Sequence, residues 1–226
     1  VDTLILHPIK TAYLTYDRRN DWQSIKELDD SFAALIEDYG ARNIPHHYGD
    51  ENLMARHASV ENGVMRVGKC SYKYVVMPWM RTIDKTTYAL LQDFVAQGGK
   101  LVMEHGKPEF LEGEPYAFDD LKATATMQDI IADLEYTIET DSKLVRSAYR
   151  TGDFGTFLYV VNIDEKAVDM KITLKSKFPV LYDLETLETK PLILNDGKID
   201  LHLDFAGSAI IFESDVPYES ATKNDS

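Results

Sequence analysis

The chain has 226 residues, 44% hydrophobic and 27% charged, which is room for one large domain or two modest ones that each bury a core. Its 24 basic and 38 acidic side chains leave a net charge of −14, which repels nucleic-acid backbones and anionic membrane surfaces. A single cysteine, Cys70, excludes an internal disulfide and any paired-thiol metal motif, and it leaves the compartment open.

No run approaches the roughly 18 apolar residues of a membrane span. Val1 leads straight into a strand-like run from Thr3 to His7, which leaves no space for a signal peptide, and the missing initial Met points to a piece of a longer protein. Residues 3–135 alternate short apolar runs with helical patterns, as expected of a parallel sheet covered by helices. Four strands are predicted at Leu4–Leu6, Arg42–His46, Tyr74–Met77 and Leu101–Met103, with Pro8 to Asn20 read as a turn. Apolar residues from Trp22 to Tyr39 recur at three- and four-residue spacing. They predict a helix with Asp21 as its N-cap and Gly40 just past its end. A short helix follows Asp50, another runs from Lys85 to Gln97 and stops at Gly98-Gly99, and Thr126 to Asp129 has capping-box spacing ahead of a third.

Near Asp141 the period changes. Val168, Met170, Ile172 and Leu174 alternate with polar residues, as do Ile199, Leu201, Leu203 and Phe205, which is the pattern of strands with one wet face. Turn signals at Thr151-Gly152-Asp153 and Asn195-Asp196-Gly197 space further short strands, so a small antiparallel sandwich is expected. The expected organisation is an α/β domain over residues 1–140, an all-β sandwich over 141–213 and a polar tail over 214–226.

In an open parallel sheet, ligands bind beyond the carboxyl ends of the strands where strand order reverses. That rule selects His7, Pro8 and Tyr13 after the first strand, and His46, His47, Tyr48, Asp50 and Glu51 around the second. It adds Pro78, Trp79 and Arg81 after the third, and Glu104, His105 and Lys107 after the fourth. Carboxylates, imidazoles and an indole on one rim suit a sugar, with Glu104 and His105 as an acid and base pair. The same polar residues are also what strand ends need for capping helices and solvating loops. Adjacent His46 and His47 point to opposite sides of an extended segment, and no metal-binding spacing exists, so no metal site is expected. No nucleophile elbow occurs, and the turn after the first strand has no glycine to cradle phosphate, so no cofactor is expected. Tyr149, Tyr159 and Tyr182 offer a second route to sugar binding on the sandwich, although strand tyrosines are commonly core or cross-strand partners.

A resemblance adds to this. Leu6-His7-Pro8 with Thr11-Ala12-Tyr13, then His46 to Glu51, Tyr74 to Pro78, and Phe94-Val95 with Gly98-Gly99-Lys100-Leu101, resemble the segment after the catalytic barrel in large bacterial glycoside hydrolases. The segment is similar to that of the family 42 β-galactosidases and the family 106 α-L-rhamnosidase-like proteins. Phe157 to Asn162, Tyr182 to Thr186, and Leu203 to Phe212 are similar to their terminal sandwich. The resemblance implies a flavodoxin-like domain related to class I glutamine amidotransferases, called a trimerisation domain in the β-galactosidases, followed by a β-sandwich. Where amidotransferases carry a catalytic cysteine, this chain has Glu104-His105-Gly106, so that activity is expected to be missing. The resemblance implies a non-catalytic C-terminal portion whose partner is the catalytic barrel of the same parent chain, with homo-oligomer contacts and an indirect link to carbohydrate. It leaves bacterial cytoplasm and cell exterior both open.

Overall fold

The computed structural model describes residues 1–19, 22–153, 155–184 and 186–217. The predicted N-cap Asp21 and most of the polar tail lie outside the described residues. The chain divides into two compact units, residues 1–39 with 44–133, and residues 40–43 with 134–226.

The first unit runs β1 (Thr3–Leu6), α1 (Ile9–Thr15), α2 (Gln23–Ala41), β2 (His46–Gly49), α3 (Glu51–His57), β3 (Ala58–Glu61), β4 (Val64–Val67), β5 (Cys70–Tyr72) and β6 (Tyr74–Met77). It continues through β7 (Thr82–Ile83), α4 (Lys85–Ala96), β8 (Lys100–Met103), β9 (Phe110–Leu111), β10 (Glu114–Pro115) and α5 (Met127–Ala132). Strands β2-β1-β6-β8 form a parallel sheet in that order. β1 and β6 are buried along their whole length, as strands covered on both faces should be. On one face Leu4, Leu6, Val75, Met77 and Leu101 pack with Met54 of α3 and Leu91 and Phe94 of α4. On the other, Phe32 and Tyr39 of α2 set their rings against Tyr48 and His46 at centroid distances of 5.9 and 6.0 Å.

Three expectations need correction. The second strand starts at His46, where the prediction ends, because Asn43 to Pro45 are used to leave α2. The helix runs through Gly40 to Ala41 and stops at Asn43, whose φ of 55° is left-handed. Asn43 N–H then bonds Gly40 C=O and Ile44 N–H bonds Tyr39 C=O, the two closing bonds of a Schellman stop. The stretch Pro8 to Asn20, read as a turn, contains α1. The sheet β3-β4-β5 has no counterpart among the predicted strands, although Asn62-Gly63, both at positive φ, join β3 and β4 in the two-residue turn that such a pair favours.

The second unit is antiparallel throughout: β11 (Tyr136–Thr140), β12 (Val145–Gly152), β13 (Gly155–Asn162), β14 (Val168–Leu174), β15 (Val180–Tyr182), β16 (Thr189–Pro191), β17 (Lys198–Leu203) and β18 (Ser208–Phe212). Sheets β11-β14-β17 and β12-β13-β18-β15-β16 share one apolar core. The predicted alternation is present in β14 and, from Ile199 to Leu203, in β17, whose even-numbered and odd-numbered apolar residues respectively are buried; Phe205, expected to continue it, lies past the end of the strand and is exposed. β11 begins ahead of Asp141 because Tyr136 and Ile138 already alternate with Thr137 and Glu139.

Candidate functional site

The strand order reverses between β1 and β6, so a ligand crevice is expected between the segments following them. In this chain that crevice is bridged. Thr11 of α1 is fully buried, and its hydroxyl accepts the Arg81 N–H at 2.9 Å and the Thr82 N–H at 3.4 Å. Replacing Thr11 by the isosteric Val leaves those two donors without their acceptor. Thr11→Val should lower stability by about 2 kcal/mol, and Thr11→Ser by much less, in urea unfolding.

The predicted rim residues divide among several places. His46 pairs in register with Thr3 at the amino end of the sheet, so it stands away from the rim; its Nδ1 lies 2.9 Å from Ile44 C=O. His47 takes the opposite face and meets the Tyr72 hydroxyl at 2.9 Å. Asp50 caps α3 by accepting the Leu53 N–H at 2.8 Å. Glu104 accepts the Tyr39 hydroxyl at 2.9 Å, which draws its carboxylate toward α2, and burial beside that carboxylate raises the phenol's pKa. Its predicted partner His105 is exposed, and Trp79 is half-buried. Arg81 pairs with Glu109 at 2.9 Å and lies over the Phe110 ring, while Lys107 donates to Asp119 C=O. Among the described residues no group of three His, Cys, Asp or Glu is placed to hold a metal ion, and no helix is long and apolar enough to cross a membrane.

Glu51 has the most unusual environment. As the first residue of α3 it is fully buried, and one carboxylate oxygen accepts the Asp84 N–H at 2.8 Å, tying the start of α3 to that of α4. The other oxygen and the neighbouring Thr87 hydroxyl are buried without a well-formed hydrogen bond. Lys10 stands near, 3.2 Å from Asp84, but burial outweighs it and raises the Glu51 pKa. The unfolded chain therefore ionises first as pH rises, so stability falls from about pH 4.3 upward until Glu51 itself ionises. Glu51→Gln keeps an acceptor for Asp84 and supplies a donor to Thr87. It should be more stable than the parent by about 1 kcal/mol at neutral pH, and the advantage should disappear at low pH, as measured by urea unfolding at several pH values.

A cavity of about 160 Å³ does lie at the carboxyl end of β1, lined by His7, Ala12, Ile25, Leu28, Asp29 and Phe32 among others. Of the predicted polar residues, His7 reaches it. Asp29 and Phe32 carry no site signal in the sequence, because Phe32 falls on the apolar spacing of α2 and Asp29 on its charged stretch. On the sandwich, Tyr149 turns inward and stacks on Tyr136 at 5.6 Å, while Tyr159 and Tyr182 flank Ile210 on the outer face of the five-stranded sheet.

No protein-family model matches this sequence, and no curated protein matches it. Solved structures do. A catalytic mutant of Gan42B, a GH42 β-galactosidase from G. stearothermophilus, aligns with a TM-score of 0.62 at 13% identity, over 94% of this chain and 40% of that one. A rhamnosidase from Novosphingobium sp. PP1Y aligns at 0.57 and 13% identity over 81% of this chain and 21% of its own. An exo-carrageenase GH42 from Bacteroides ovatus aligns at 0.57 and 10% identity over 94% and 29%. The chain spans well under half the length of each of these structures, and at such identities the likeness is one of fold: a parallel α/β unit followed by antiparallel β-structure, as found within glycoside hydrolase chains.

Proposed function

We propose that the chain is a non-catalytic portion of a glycoside hydrolase-like protein. In this reading the first unit is a flavodoxin-like, amidotransferase-related assembly domain and the second a terminal β-sandwich. Together they pack against, or help to oligomerise, a catalytic barrel of the same parent chain. The observation that carries the reading is the alignment over 94% of this chain against only 40% of the β-galactosidase. The use of the rim supports it: Thr11 fills the switch-point crevice, Glu51 is buried under α4, Asp50 caps a helix and Glu104 is held by Tyr39. Those contacts turn the carboxylates inward as structural acceptors, which is unsuited to a displacement that needs two carboxylates facing a sugar from opposite sides.

The test is an assay of nitrophenyl glycosides with the chain alone and with the coding region upstream of Val1 restored. Turnover confined to the longer protein, with a barrel-length segment in frame, is the expected result. Turnover by the chain alone that Glu104→Gln abolishes would overturn the proposal, as would a start codon directly before Val1.

A further inference from the structure

The cavity at the end of β1 holds two polar side chains that the fold does not use. The His7 ring meets Phe32 edge-on at 5.4 Å, but its nitrogens have no hydrogen-bond partner among the described residues. The Asp29 carboxylate likewise enters no hydrogen bond or ion pair there. Asp50, Glu104 and Asp133 are each engaged by a named donor, whereas Asp29 lines the cavity and is exposed, so its carboxylate is left to solvent or to a ligand. The remaining walls are apolar: Ala12 from α1, and Ile25, Leu28 and Phe32 from α2.

We propose that this cavity binds a single monosaccharide ring. A sugar presents a C–H face to an aromatic or aliphatic wall and hydroxyls to a carboxylate and an imidazole, and that division matches the lining here. The alternatives fit less well. No Lys or Arg lines the cavity, so an anion would meet Asp29 uncompensated. A quaternary amine calls for several aromatic faces around the charge, and Phe32 turns toward both His7 and Tyr48; a primary amine would use Asp29 but leave the apolar walls idle. At about 160 Å³ the space equals roughly five waters' share of liquid volume, well short of a drug-sized site, so one ring enters and its far side stays in solvent. The cavity lies outside the bridged crevice, and the proposal stands on the cavity alone, so its failure leaves the parent-chain reading untouched.

The experiment is a two-dimensional NMR titration of the isotope-labelled chain with galactose, rhamnose and glucose, and with methylammonium as a separate arm. Saturable shifts at His7, Asp29 and Phe32 with a sugar, in the millimolar range, are expected. Asp29→Asn, an exposed substitution that leaves the dispersed spectrum intact, should weaken binding about tenfold by removing a charged acceptor. Phe32→Leu should weaken it while preserving the helix packing. Absence of localised shifts with every sugar, shifts unchanged in both variants, or saturation by methylammonium instead would each overturn the assignment.

Discussion

Asn162→Ala should destabilise the sandwich by about 4 kcal/mol, a large share of the 5–15 kcal/mol that holds a typical domain. Asn162 ends β13 with no exposed surface. Its amide nitrogen donates to Lys166 C=O at 2.8 Å, Asp204 C=O at 2.9 Å and, more weakly, Leu203 C=O at 3.2 Å. Its amide oxygen accepts the Asp164 N–H at 2.9 Å. One side chain thus joins the turn after β13 to the end of β17, which belongs to the other sheet. Alanine takes the donor from three carbonyls, of which Asp204 C=O keeps the Gly207 N–H at 2.9 Å, and it leaves a hole where a fully buried amide joined two segments. Asn162→Asp separates the hydrogen-bond account from a packing one. It keeps the acceptor but aims a carboxylate at carbonyl oxygens, so its folded pKa is raised above the unfolded value. It should be at least as destabilised at pH 7 and recover as falling pH restores a donor. The measurement is urea unfolding followed by a probe in the second unit, since two units need not unfold together. A loss below 1 kcal/mol for alanine would show that the network is dispensable.

What the sequence made legible follows from how local each signal is. The periodicity of α2 and α4, the alternation in β14 and β17, and the capping box at Thr126 are written within a few residues, and the structure contains each. The start of β2 differs from its expected place because Gly40 has the composition of a helix stop, whereas Asn43 adopts the left-handed conformation and Gly40 continues the helix. The Asn62-Gly63 dipeptide favours a tight turn, but its flanks are four residues each, and the polar residues of Ala58–Glu61 keep the first from announcing a strand. The site residues fared differently, because strand-end polarity says that a side chain is near the rim without saying what it bonds. Glu51 and Glu104 are adjacent in pattern to a ligand crevice, and both turn inward, to Asp84 and to Tyr39, through partners 33 and 65 residues away. Thr11, which closes the crevice, lies on a seven-residue helix without a side-chain cap and carries no local signature at all.

The pair Gly98-Gly99 reads in sequence as one helix stop, yet its two members should differ sharply on substitution. α4 ends in a Schellman motif: Gly98 N–H bonds Val95 C=O at 3.0 Å and Gly99 N–H bonds Phe94 C=O at 2.7 Å. Gly98 takes the left-handed conformation, with φ of 88°, and a Cβ there would meet nothing within 4 Å. Gly98→Ala should therefore cost only the backbone term, about 1 kcal/mol. At Gly99 the backbone is ordinary and space is the constraint. A Cβ would lie 2.4 Å from Cδ2 of Phe94, a ring that is fully buried between α4 and the sheet. Neither can yield cheaply, since Phe94 sits in a close-packed core and the chain enters β8 at the next residue. Gly99→Ala should cost about 3 kcal/mol or more through overpacking and loss of the short Gly99–Phe94 bond. If the ring is the obstacle, Phe94→Leu should relieve part of that cost. The double variant is expected to be at least 1 kcal/mol more stable than the sum of the single effects predicts. Strict additivity of the two, or a larger loss at Gly98 than at Gly99, would place the constraint in the backbone conformation and refute the steric account.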